Sequence, residues 1–150
     1  MERKFAGGCA CGAIRYEGNV PREVGADPVT MLNCRCRDCQ RAGGAYAAIV
    51  VVPKAAVRMQ GELRYNRTVG DGGTVGDGGK AVERGFCPAC GSQVALKLER
   101  LPDILGLHAA SLDDPTLHKP AMDIFTASAQ PWDHMAAETR KLPQGFATSS

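Results

Sequence analysis

At 150 residues the chain is long enough for one domain with a core of its own and too short for two. Hydrophobic residues at 44% and charged residues at 23% follow a globular profile and exclude general disorder. A net charge of +2, with no basic run longer than two residues, excludes the basic stripe of a typical nucleic-acid protein.

The amino end, Met1 to Cys9, lacks the apolar run of a secretory leader, and no stretch reaches the length of a membrane span. A cytoplasmic protein with no membrane or nucleic-acid partner is expected. Ala13 to Glu17 alternates, Ile14 and Tyr16 on one face and Arg15 and Glu17 on the other, which predicts a strand. A helical turn or so is predicted around Arg37 to Ala42. Ala45 to Val52 is the longest apolar run and predicts a buried central strand, ended by Pro53. Glu62 to Asn66 and Lys80 to Phe86 predict a hairpin. Between them Thr68 to Gly79 reads TVGDGG twice in tandem; it has no apolar face to bury and is expected to be a flexible loop. Two copies are too few for a repeat architecture.

Val94, Leu96 and Leu98 alternate with Gln93, Ala95 and Lys97 as another half-buried strand, and Leu105 to Ala110 and Met122 to Ala127 add two more. A short helical piece is predicted near Trp132 to Glu138, with Trp132 as a packing anchor. The chain is therefore expected to be mainly β, with little helix, as a single domain over residues 1–150 whose core spans about 5–145.

Seven cysteines are the strongest chemical signal. An odd number cannot pair fully, a reducing compartment disfavours disulfides, and the close Cys-x-Cys and Cys-x-x-Cys spacings favour metal. They form three groups: Cys9 and Cys11; Cys34, Cys36 and Cys39; Cys87 and Cys90. The last group reads Cys87-Pro88-Ala89-Cys90-Gly91, which suits a zinc knuckle whose backbone N–H groups face the thiolates and whose glycine takes a positive φ. A redox pair would usually open a helix instead. Residues two apart on an extended segment project to the same side, so Cys9 and Cys11 can complete a tetrathiolate zinc site with Cys87 and Cys90. Such a clip contributes on the order of 10 kcal/mol of binding energy to folding.

Cys34, Cys36 and Cys39 remain. They either hold a second zinc with an open fourth position, as in a catalytic site, or form a second structural site closed by His108, His118 or His134. Pairing Cys36 and Cys39 with Cys87 and Cys90 as a zinc ribbon would far exceed the usual spacing of roughly 15–20 residues and would strand the other three. Arg35, Arg37 and Arg41 flank the run. Each either balances thiolate charge, holds a substrate carboxylate or is a plain surface residue.

The order C-x-C, C-x-C-x-x-C, C-P-x-C-G resembles the glutathione-dependent formaldehyde-activating family, which shares its domain with centromere protein V. The likeness extends through Gly7-Gly8-Cys9-Ala10-Cys11-Gly12 with Ile14-Arg15-Tyr16, Cys39-Gln40-Arg41 with Gly44-Ala45, Phe86-Cys87-Pro88 through Ser92, Ser111-Leu112-Asp113-Asp114-Pro115, and Pro131-Trp132. It departs in the Gly-rich loop, where relatives have a short polar hairpin.

The resemblance implies coiled, tent-like antiparallel β-sheets stapled by two zinc ions. One is structural at Cys9, Cys11, Cys87 and Cys90, and one is catalytic at Cys34, Cys36 and Cys39. It implies a carbon–sulfur lyase that forms or cleaves S-hydroxymethylglutathione from glutathione and formaldehyde, the substrate thiol entering as the fourth ligand. Arg41 fits the family's Cys-x-Arg position as a substrate-binding residue. A non-catalytic interaction module is the alternative that the centromere relative represents, with a zinc chaperone or sensor as a third.

Overall fold

The computed structural model describes residues 2–21, 29–70 and 80–145. Short β-favouring runs lay down seven strands and one helix up to residue 86: β1 (Glu2–Gly8), β2 (Arg15–Pro21), β3 (Thr30–Cys34), α1 (Arg37–Gly43), β4 (Ala47–Pro53), β5 (Val57–Gln60), β6 (Arg64–Val69) and β7 (Ala81–Phe86). Four more follow: β8 (Gln93–Leu98), β9 (Leu101–His108), β10 (Met122–Ile124) and β11 (Arg140–Lys141). The domain is mainly β, and no helix among the described residues is long and apolar enough to cross a membrane.

The strands form two sheets. A three-stranded sheet runs β1-β2-β5 and is antiparallel throughout. An eight-stranded sheet runs β11-β10-β3-β4-β9-β8-β7-β6; it is antiparallel except where β10 lies parallel to β3 and to β11. In the large sheet β4 is covered on both faces, which is why its sequence is an unbroken apolar run rather than an alternation. Side chains still alternate across it. Val50 and Val52 join Ile14, Tyr16 and Val20 of the small sheet and Leu107 of β9 in one core. Ala47 and Ile49 join Leu32, Val82, Leu96, Ile124 and Phe125 in a second core, which also contains Cys34, Cys36 and Cys39. The three sulfurs are thus set into apolar packing on one face of the sheet.

Several expectations meet the structure closely, and others shift. The predicted hairpin forms as β6 and β7, with Thr68 opposite Val82 and Val69 opposite Ala81, so the first two residues of the tandem repeat belong to β6. Asp71 to Gly79 lies outside the described residues. The strand expected over Met122 to Ala127 stops at Ile124, because Phe125 takes φ 55 and a 3-10 turn over Thr126–Ser128 follows. Likewise Leu105 to Ala110 ends in a 3-10 turn over Ala109–Ser111.

The helical piece expected at Trp132 to Glu138 is absent. A turn forms instead, with the Asp133 N–H donating to Gln130 O at 3.0 Å, and the Asp133 carboxylate is drawn to Arg35. Trp132 is 64% exposed and anchors no packing. Strands β1, β3, β5 and β11 were not expected from the sequence.

Leu107, with no exposed surface, sits at the centre of the core between the sheets. Leu107→Ala is expected to lower stability by about 2–5 kcal/mol, read as a reduced urea midpoint at unchanged slope. A loss below about 1 kcal/mol would show that the two sheets are not packed through this residue.

Candidate metal centres

The first sulfur cluster joins Cys9 and Cys11 to Cys87 and Cys90, whose ligand atoms all lie within 4.8 Å of one another. Cys9 and Cys11 do not lie on an extended segment, as the sequence reading had it. β1 ends at Gly8, and Cys9 to Gly12 turns back, with Cys9 N–H to Ile14 O at 3.1 Å and Gly12 N–H to Cys9 O at 3.3 Å. The turn aims amide protons at sulfur: Ile14 N–H donates to Cys9 Sγ at 3.2 Å.

The second half is the expected knuckle. Gly91 N–H donates to Cys87 O at 2.8 Å, and Gly91 has φ +78, a conformation that glycine takes without strain. The hydroxyl of Ser92 lies 3.1 Å from Cys90 Sγ. That contact, with the backbone N–H groups of Ser92 and Cys11, brings the Cys90 thiol down to about 5.

Sulfur spacing tests the fit to zinc directly. Four sulfurs at about 2.3 Å from a tetrahedral ion stand about 3.8 Å apart. Cys9 and Cys11 are separated by 3.6 Å, and Cys11 and Cys87 by 3.8 Å. The donor set and its dimensions fit a tetrathiolate ion.

The second cluster is Cys34, Cys36 and Cys39, all buried and again within 4.8 Å. Cys34 ends β3 and Cys39 lies in the first turn of α1; Cys36 caps that helix, its sulfur accepting from Cys39 N–H at 3.3 Å. Gln40 holds the connecting loop, donating from Nε2 to Arg35 O at 2.7 Å and to Ser128 O at 2.8 Å. Contact with Cys36 and Cys39, then burial, pushes the Cys34 thiol well above its usual range. At Cys39 the contact with Cys34 acts downward, but Cys36 and burial outweigh it and raise the thiol to about 11. Three crowded, buried thiols resist ionising together, and a dication among them reverses that balance. The donor chemistry fits zinc. Among the described residues no histidine joins this set. His118 bonds Asn33 Oδ1 at 3.0 Å, and His134 is exposed.

The flanking arginines have separate fates. Arg35 is 2% exposed and ion-pairs with Asp123 and, at 2.5 Å, with Asp133, while its guanidinium stacks 4.4 Å from the Tyr46 ring centroid. It ties the cysteine loop to β10 and to the segment after Pro131. Arg37 bonds Gln40 Oε1. Arg41, in the last turn of α1, is exposed and lies 3.5 Å from Asp38.

The cation nearest the sulfurs is one that sequence reading missed. Arg84 of β7 is 5% exposed, donates to Thr68 Oγ1 at 3.0 Å and reaches Cys39 Sγ at 3.5 Å. Its position two residues after the buried Val82, on the same strand face, was the available signal.

Two cavities accompany the clusters. One, of about 370 Å³, is lined by all three cysteines of the second cluster, by Arg84 and Arg100, and by a wall of leucine, isoleucine and valine. The other, of about 780 Å³, is lined by Arg15, Tyr46, Ser92, His108, Ser111 and Asp113 among others; it touches Cys9 but none of Cys34, Cys36 or Cys39. Arg41 lines neither.

Two sulfur clusters on a mainly β scaffold define a small thiol-rich domain of the kind that holds metal ions. More particularly, the chain belongs to the glutathione-dependent formaldehyde-activating enzyme (GFA) family, whose model matches residues 4–128. A crystal structure of a Rhodobacter sphaeroides protein shares the fold, with a TM-score of 0.54 at 21% identity over 77% of this chain and 96% of that one. No curated protein matches the chain.

Removing Arg35 takes the buried ion-pair partner from Asp133 and leaves Asp123 with Lys141, Thr139 and Asn33, so Arg35→Met is expected to cost about 3 kcal/mol of stability by urea titration. A near-neutral result would show that the ion-pair network does not brace the loop. Burial, followed by the charge of Arg84, lowers His108 from 6.5 to about 4. Folded His108 thus stays neutral where the unfolded chain takes up a proton. Its contribution is complete above pH 6.5 and is lost as pH falls toward 4. His108→Gln is expected to flatten the fall in melting temperature across that interval, and parallel curves for the two proteins would contradict the assignment.

Proposed function

We propose that this chain is a zinc-dependent enzyme that forms or cleaves a thiol–aldehyde adduct of the S-hydroxymethylglutathione type, a carbon–sulfur lyase in the direction of cleavage. The reading takes residues 1–150 as one domain working in the cytoplasm, where thiols stay reduced and available to metal. One observation carries it: three buried thiols converge at the wall of a cavity with no fourth protein ligand among the described residues.

In this reading Cys34, Cys36 and Cys39 are the catalytic ligands, while Cys9, Cys11, Cys87 and Cys90 hold a second, structural zinc. A zinc ion held by the three sulfurs supplies positive charge that favours the thiolate form of a substrate thiol near neutral pH. The chain's own residues do the rest. Cys36 and Gln40 fix the loop so that the three sulfurs point into one cavity. The apolar wall excludes water, which strengthens each electrostatic contact inside. Arg84 sets a fixed cation beside Cys39, where it offsets sulfur charge and meets negative charge that develops on a carbonyl oxygen. Arg41, exposed at the end of α1, is the candidate to hold a carboxylate of glutathione from the solvent side.

The test pairs metal content with product. Wild-type protein is expected to carry two zinc per chain and to accelerate formation of S-hydroxymethylglutathione, followed by carbon-13 NMR with labelled formaldehyde. Cys36→Ser is expected to lose one zinc and at least a hundredfold in rate while keeping its circular dichroism spectrum. Full activity in Cys36→Ser, or a second zinc indifferent to glutathione, would count against an open reactive site and in favour of a binding module.

A further inference from the structure

The cavity at the three-cysteine cluster does not match the size and polarity of formaldehyde and glutathione. Its volume of about 370 Å³ lies in the range of sites for whole organic ligands, and a one-carbon aldehyde would occupy only a small part of it. Its wall is built from Leu32, Ile49, Val51, Leu96, Leu98 and Ile124, drawn from four different strands. These six side chains offer nothing to bond the several carboxylates and amides of glutathione, and burying against them the groups that the two lining arginines do not reach would cost several kcal/mol each.

Charge enters this cavity at defined points. Arg84 stands beside Cys39 and Arg100 is the other charged side chain of the lining, so a molecule that reaches the sulfurs meets a guanidinium at its reacting end and a wall that is otherwise mostly hydrocarbon.

We propose that the carbonyl substrate is an aldehyde with an apolar chain of several carbons, its chain filling this cavity and its oxygen turned toward Arg84. The inference rests on the adduct chemistry proposed above and assigns the class of its carbonyl partner. In the addition, the thiol sulfur bonds to the carbonyl carbon. The carbon–oxygen π pair moves onto oxygen, and the proton given up by the thiol ends on that oxygen, so the product is a neutral hemithioacetal with no net oxidation. Arg84 stabilises the oxygen while it carries charge. The walls recognise the chain by removing its surface from water.

Unreactive primary amides mimic the carbonyl end and allow binding to be read apart from turnover. Calorimetric titration of the zinc-loaded protein with acetamide, butanamide and hexanamide is expected to show affinity rising about fourfold for each added methylene. Val51 faces the cavity and is only partly buried. Val51→Phe, checked for folding by circular dichroism, is expected to abolish the gain for hexanamide, so that long and short amides bind alike. Val51→Ala, which enlarges the space, is expected to extend the gain to octanamide. Arg84→Lys is expected to weaken every amide while keeping the dependence on chain length.

Equal affinity for all three amides in the wild-type protein would overturn the inference. So would a chain-length dependence unchanged in both Val51 variants. A parallel reaction of glutathione with hexanal and with formaldehyde separates this idea from the functional reading beneath it. Flat amide binding with a formaldehyde adduct formed overturns the apolar substrate alone. Rising amide affinity with no adduct from either aldehyde overturns the adduct chemistry and supports the apolar cavity as a ligand site.

Discussion

Sulfur atoms crowded together repel one another as they ionise, and this chain gathers seven of them in two places. The four-sulfur set draws on segments far apart in the chain, so an ion that binds it closes a long loop and contributes directly to folding. The three-sulfur set draws on one short run between β3 and α1, and an ion there adds little closure. In the proposed reading the same ligand type therefore serves two ends, with sequence separation deciding which.

The large sheet carries the difference into three dimensions. Because β4 is apolar on both faces, each face supports its own core. One core is shared with the small sheet. The other surrounds Cys34, Cys36 and Cys39 and opens into the apolar cavity, so these three sulfurs are placed in surroundings that shield charge poorly. Arg35, Asp123 and Asp133 form the buried polar frame that holds the cysteine loop against β10, and Arg84 reaches the sulfurs from the far side of the sheet's register.

Local patterns were legible and distant ones were not. The knuckle at Cys87 to Gly91 could be read because its turn, its glycine and its sulfurs lie within five residues. The β4 strand could be read because its apolar residues are consecutive. The four-cysteine grouping was also legible, although the physical reason was a turn rather than an extended segment at Cys9 to Gly12. Strand β1 was hidden because Glu2–Gly8 is polar and glycine-bearing, and only its pairing with β2 makes it a strand. The segment from Trp132 to Glu138 contains good helix formers, yet its Asp133 is committed to Arg35, 98 residues away. Strand alternation could place Arg84 on the inward face with Val82 but not show its significance, which lies in reaching Cys39, 45 residues distant. Sequence spacing set Arg41 beside the cysteines, and in the structure it lies exposed and outside the cavity.

The central claim is a division of labour, in which one ion holds the fold and the other serves the site. Graded chelation of the zinc-loaded protein, with metal release followed by a chromogenic indicator and folding by circular dichroism in the same sample, tests it most directly. The account predicts two steps: one zinc leaves with the spectrum intact, and the second leaves only as the β signal collapses. Loss of both ions in a single step that coincides with unfolding would contradict it.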